Sequence, residues 1–307
     1  MLVTAPELLA GVALDLALGD PQWLPHPVRG IGWLARALEG PLRATGLPLR
    51  LAGLLFWILV VGSCAAVVWV TVRPGYVWCN VYWIWAFLAC RDLDVEAGRV
   101  IRALAGNDLP QARKWLSWIV GRDTATLDEP EVVRATVETV AENLGDGVIA
   151  PLFWLAIGGP VGMAAYKAVN TLDSMVGYRN ERYAEFGWAS ARIDDAANFI
   201  PARIAAFLVW IAALLPGFNA RRAVRVTWRD GGSQPSPNSG YPEAAVAGAL
   251  GVQLGGTNYY RGKPSPKAPL GDAVWPLERA VFGRVRVLLY ASEALCVAAI
   301  LGCISWR

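Results

Sequence analysis

Leu51–Val72 reads LAGLLFWILVVGSCAAVVWVTV. The stretch carries no charge, and Arg50 and Arg73 bracket it. At about 1.5 Å per residue, a helix of this length crosses the ~30 Å hydrocarbon core of a bilayer. It places the protein in the class of all-α, multi-pass integral membrane proteins if other runs join it. Arg73-Pro74-Gly75 makes a tight turn after it. The aromatic run Tyr76–Cys90 then predicts the returning arm of a hairpin.

Further apolar segments follow. Val148–Asn170 is apolar but holds Gly158-Gly159-Pro160 in its middle, and Ile200–Phe218 carries Arg203 near one end. Val285–Trp306 is a last span and carries Glu293, while Leu2–Leu18 is weaker and reads as partly embedded. Composition agrees. The charged fraction is 17%, against about 25% in ordinary soluble domains. Lys and Arg exceed Asp and Glu by only 28 to 25, which excludes the basic footprint of a nucleic-acid binder. Cys64, Cys79, Cys90, Cys296 and Cys303 all lie in apolar stretches without a C-x-x-C pair, so they read as small buried hydrophobes. The N-terminus lacks the basic region of a secretory signal. Residues 1–307 read as one membrane-embedded domain with long polar, partly helical loops. Loops of such length are usually functional.

Four polar segments could carry chemistry. In PEVVRATVETVAENLGDG (Pro130–Gly147), Asp128-Glu129-Pro130 signals a helix start, and Gly145 and Gly147 signal its stop. Glu138, Glu142 and Asp146 then fall at i, i+4 and i+8 on one face, with Asn143 beside them. Carboxylates in a row repel unless a cation lies against them. Mg²⁺, which takes oxygen ligands and bridges to phosphates, is a natural one; a solvated helix face is the plainer alternative. The second segment, Asn170–Asn198, places Asn170 and Asp173 one turn apart, and Asp194, Asp195 and Asn198 before an apolar helix. Arg179, Asn180 and Arg182 lie between. Carboxylates beside arginines next to a span suit phosphate and metal handling, or structural ion pairing at the interface. In SPNSGYPE (Ser236–Glu243), two prolines and a glycine order a turn that presents Ser236 and Asn238. In Gly255-Gly256-Thr257-Asn258 the backbone N–H groups could approach an anion. The fourth is GDP (Gly19–Pro21) and PHPV (Pro25–Val28). His26 is the single histidine, so no multi-histidine metal site exists, and its flanking prolines keep it out of a helix interior. There is no Walker motif and no G-x-S-x-G elbow.

Together these segments resemble the CobD/CbiB family of adenosylcobinamide-phosphate synthases. The matching stretches are GDP…PHPV, ETVAENLGDGVIAPLFW, AYKAVNTLDSMVGYRNERYAEFGWASARIDDAANFIPAR and SPNSGYPEAAVAGALGVQLGG, in the family's order. One departure is Leu144-Gly145, where a Thr-Ser-like pair is expected, which makes position 145 a poor catalytic candidate. The resemblance implies an ATP-dependent ligase of cobalamin biosynthesis in the cytoplasmic membrane. It would join adenosylcobyric acid, a corrinoid, to (R)-1-amino-2-propanol or its O-phosphate as an amide.

Chemistry then suggests the roles. Glu138, Glu142, Asp146, Asp173, Asp194 and Asp195 are the catalytic candidates. Among them Glu142, Asp146 and Asp195 would hold Mg²⁺. His26, Asn143, Asn170, Arg179, Asn180, Arg182, Asn198, Ser236 and Asn238 would bind substrate and phosphate. The bilayer is a partner, and association with other late cobalamin enzymes or with a second copy is a further expectation. The rival readings are a lipid-type phosphotransferase, whose D-x-x-D-G-x-x-A-R pattern is absent, and a non-catalytic membrane sensor or transporter of related fold. Arginines at 36, 43, 50, 221, 222, 225 and 229 place their loops in the cytoplasm. The break at Gly158-Gly159-Pro160 and the charge of Arg203 make the two middle segments re-entrant, so that all four polar segments face the cytoplasm.

Overall fold

The computed structural model describes residues 3–21 and 23–305. Leu2 and Trp306, the outer ends of the first and last expected segments, lie outside them. Among the described residues the protein is helical apart from one hairpin, and four of the helices are long and apolar enough to cross a membrane. It divides into two compact units: Met1–Ala89, Ala150–Asn198 and Ile300–Arg307 form the first, and Cys90–Ile149 with Phe199–Ala299 the second. Both are discontinuous in sequence, so no linker marks a boundary.

In the first unit, α1 (Ala5–Leu18) packs on α4 (Val77–Phe87), and α3 (Leu49–Val72) packs on α2 (Pro27–Arg43) and α8 (Ala150–Val176). Glu7, which interrupts the first apolar run, is an N-terminal cap. Its Oε2 accepts from Thr4 N–H at 2.7 Å, and its Oε1 from Asn80 at 2.8 Å. Four apolar turns can therefore hold a buried carboxylate at little cost. The aromatic run does fold back on α3, with Trp83 Nε1 donating to Thr71 Oγ1 at 2.9 Å. As a helix of 11 residues it covers only about 16 Å, too little to cross a bilayer. Helix α8 breaks where Gly158-Gly159-Pro160 foretells it. Gly159 sits at φ 62°, ψ −160°, a region open to glycine alone.

In the second unit, α5 (Cys90–Ala105), α6 (Leu109–Ile119) and α7 (Glu129–Asn143) pack together. Asp128 and Glu131 form the capping box of α7. The stop expected at Gly145 and Gly147 does not occur: residues Leu144–Ile149 continue as a π-helix into α8. Leu144, Gly145, Gly147, Val148 and Ile149 are buried, so their backbone groups have no water and keep helical partners instead. The wider π winding also takes Asp146 out of the α-helical register that Glu138 and Glu142 share. Helices α10 (Ala220–Asp230) and α11 (Gly240–Leu250) pack against each other. The Gly/Pro-rich stretch after them forms an antiparallel hairpin, β1 (Leu254–Tyr260) with β2 (Lys263–Leu270). Helix α9 (Trp188–Ala212) contributes residues to both units, and α12 (Ala280–Ser305) ends the described chain.

Candidate functional site

The expected site residues are shared between the two units. In the first unit the apolar core of α8 and α9 buries Asp194, which is 8% exposed. Its Oδ2 accepts from Asn198 Nδ2 at 3.0 Å and its Oδ1 from Asn170 Nδ2 at 3.4 Å. Tyr166 in turn donates to Asn198 Oδ1 at 2.8 Å. Helical spacing accounts for the pairing: Asn198 lies one turn beyond Asp194, and Asn170 one turn before Asp173. The negative charges of Asp173 and Asp195 act on Asp194. Asp173 lies against Gly177, where any β-carbon would sit 1.9 Å from its Oδ1, so only glycine fits. Asp195 has Arg192 Nη1 at 3.6 Å and the charge of the exposed Arg179 nearby.

The remaining expected residues of this unit are bound to structure. Asn180 Oδ1 accepts from the N–H groups of Arg182 and Tyr183 at 3.1 and 3.0 Å, closing a turn. Arg182 reaches Glu39 Oε1 at 3.0 Å. His26 caps α2, its Nδ1 accepting from Val28 N–H at 3.3 Å while its Nε2 lies 3.1 Å from Asp20 Oδ1. It also borders a 450 Å³ cavity with Trp33, Cys64, Tyr82 and Trp83.

In the second unit the acidic row meets the protein's own cations. Glu138, 2% exposed, has Arg122 Nη2 at 2.6 Å from Oε2 and Arg134 Nη1 at 3.0 Å from Oε1. Gly255 N–H also donates to Oε1 at 2.8 Å. Arg134 donates back to the Gly255 carbonyl, and both arginines reach Asn258 Oδ1. The glycine-rich stretch expected to approach an anion does so, and the anion is Glu138 itself. This carboxylate fastens β1 to α7. Asn143 bonds back to the Thr139 carbonyl of its own helix at 2.9 Å. The turn at Ser236 faces inward: Ser236 Oγ accepts from Asn238 N–H at 3.2 Å, and the buried Asn238 Oδ1 accepts from Arg203 at 3.0 Å. Arg203 stacks on Phe199 and Tyr241, 3.7 and 4.0 Å from their centroids, which shields its charge within the candidate span Trp188–Ala212.

Two residues outside the expected set complete this cluster. Glu243, on α11, is 1% exposed, and neither of its carboxylate oxygens has a hydrogen-bond partner among the described residues. Burial pushes its carboxyl well above the ordinary glutamate range; Glu142 and Glu138 push the same way, and Lys267 and Arg122 draw it back. Burial alone would weaken Lys267 as a base-bound cation, but Glu243, Glu142 and Glu138 more than offset this and hold its proton. The signal in sequence was a lone charge in an otherwise uncharged helix, GYPEAAVAGAL; pattern reasoning favours rows of acids and passed over it.

Of the expected metal set, Glu142 and Asp146 belong to the second unit and Asp195 to the first. Among the described residues no group of three or more His, Cys, Asp or Glu side chains is arranged to hold a metal ion.

The family description "CobD/Cbib protein" matches residues 8–288. The chain is 54% identical over 298 residues to "Cobalamin biosynthesis protein CobD" of Geobacter metallireducens, covering 94% of this chain and 93% of that one. It is 47% identical to the protein of the same description from Pelobacter propionicus, over 97% and 95% of the two chains. With "Cobalamin biosynthesis protein CbiB" of Salmonella typhimurium the identity is 45% over 93% and 92%. The chain belongs to the CobD/CbiB family. All four stretches that carried the resemblance fall inside the matched range. No solved structure matches this CobD/CbiB chain.

Proposed function

We propose that this CobD/CbiB chain works in cobalamin biosynthesis as an ATP-dependent ligase of the cytoplasmic membrane. It would join adenosylcobyric acid to (R)-1-amino-2-propanol or its O-phosphate. The observation that carries the reading is the Asp194 cluster, because it lies in the long middle block that the family resemblance rests on. Nucleotide-driven amide formation first transfers a phosphoryl group to the acid, and that transfer needs neutralised charge and fixed oxygens. Asp194, held by Asn170 and Asn198, keeps a rigid carboxylate beside Asp173 and Asp195. The exposed Arg179 is a cation suited to a phosphate. Mg²⁺ binds through one or two carboxylates plus substrate phosphates, and the half-buried Asp195 is the carboxylate of this cluster that would hold it. Bound there, the ion would neutralise the transferring phosphoryl group.

Membranes holding the protein, given adenosylcobyric acid, either amine and MgATP, should form the corrinoid amide with release of ADP, read by mass spectrometry. Asp195→Asn should lower turnover on the order of 10²-fold while inserting normally. Absence of amide with both amines, and no ATP consumed, would overturn the ligase reading.

A further inference from the structure

We propose that Glu243, Glu142 and Lys267 form the site that receives the amine of the ligation as a primary ammonium, with Glu243 as its proton acceptor. The inference rests on the ligase reading above and names residues for its second half-reaction.

Three observations carry it. Glu243 is fully buried and bonds to no described residue through either oxygen. A buried carboxylate in that state is unfavourable unless something satisfies it. The charges of Glu142 and Glu138 on α7, Lys267 on β2 and Arg122 in the loop before α7 act on it, and α11 packs against α7 and β2. Glu138 is already paired with Arg122 and Arg134 and accepts from the Gly255 N–H. Glu142 and Lys267, both half-buried, make no ion pair among the described residues. The cluster therefore has a deep carboxylate, a more accessible carboxylate and a cation that acts on both without touching either.

Chemistry selects the ligand. Phosphate would face the repulsion of Glu142 and Glu243. Mg²⁺ sheds its waters reluctantly and takes few all-protein cages. A primary ammonium carries one charge and three N–H donors, which two carboxylates can share. Such an amine is protonated at neutral pH, with a pKa of about 10, so it cannot attack until a base takes a proton. The raised proton affinity of Glu243 brings it toward that task. The step balances: R–NH₃⁺ and Glu243–COO⁻ give R–NH₂ and Glu243–COOH. The nitrogen lone pair then forms the C–N bond at the acyl phosphate formed with the nucleoside triphosphate. The C–O bond to phosphorus breaks, phosphate leaves with the electron pair, and the second nitrogen proton goes to solvent.

The test separates acid activation from amine use. Hydroxylamine is uncharged at neutral pH and traps an acyl phosphate as a hydroxamate without a base. Full-length protein in detergent is given the corrinoid acid and MgATP with either hydroxylamine or aminopropanol. Glu243→Gln should keep hydroxamate formation within a few-fold of wild type and lose amide formation on the order of 10²-fold, with recovery as pH rises and free amine accumulates. Glu142→Gln should raise KM for aminopropanol and also spare the hydroxamate. Equal loss of both products in Glu243→Gln and Glu142→Gln, or loss of neither, overturns the site. If wild type makes neither product, the ligase reading fails instead. Stabilisation of wild type, and not of Glu243→Gln, by aminopropanol alone in a thermal melt would then still support the ammonium site, and equal stabilisation would overturn it.

Discussion

Replacing Glu138 by alanine would leave Arg122 and Arg134 facing each other across a hole in the second unit. Their side chains are 8% and 11% exposed, and the carboxylate between them is 2% exposed. Stripping one partner from a buried ion pair costs about 3–5 kcal/mol. The Gly255 N–H, which donates to the same carboxylate at 2.8 Å, loses its acceptor and adds about 1–3 kcal/mol. The total is roughly 4–8 kcal/mol. For a chain of this size about 2 °C accompany each kcal/mol, so the melting temperature should fall on the order of 10 °C. Glu142→Ala is the control: it breaks no ion pair, and its cost should stay within about 1 kcal/mol. Thermal unfolding of both variants in one detergent, followed by tryptophan fluorescence, measures the difference. If Glu138→Ala melts with the wild type and yet loses turnover, Glu138 is catalytic and the arginine clamp does not hold the fold.

Stability should also fall in acid through Asp230. Burial raises its carboxyl, but Arg229 and the Gly271 N–H outweigh burial and hold it below the ordinary range. A depressed carboxylate contributes stability that is complete above its unfolded value of about 3.9 and is lost as pH falls through the folded value. Asp230→Asn should remove that part of the acid limb in melts taken from pH 6 to pH 3, and an unchanged limb would refute the assignment. Topology is tested at Ala184, which is exposed; the buried Ser190 would not react. In a version without its five cysteines, Ala184→Cys should resist an impermeant thiol reagent in intact cells and label once membranes are opened. Labelling from outside would sink the re-entrant arrangement.

The membrane class was legible because hydropathy is a local property: Leu51–Val72 reads as a span whatever surrounds it. The same holds for the capping box at Asp128 and the break at Gly158-Gly159-Pro160, since both follow from backbone chemistry within a few residues. Asn170 and Asp173 were legible as one helical turn for the same reason, whereas Asp194, Asp195 and Asn198, expected before an apolar helix, lie inside α9 (Trp188–Ala212). The continuation of α7 through Gly145 and Gly147 was not, because burial of the segment overrode the glycine signal. Nor was the role of Glu138 legible. Its partners Arg122 and Gly255 lie outside its own helix, so the first acid of a row that looked ready for a metal ion is clamped by the protein's own groups. Glu243 and Lys267 stand far apart in the chain, on a short helix and on the second strand of an unforeseen hairpin. Only the packing of α11 with β2 and with α7 brings their charges together. Interaction between charges depends on distance and burial through space, and neither is written in spacing along the chain.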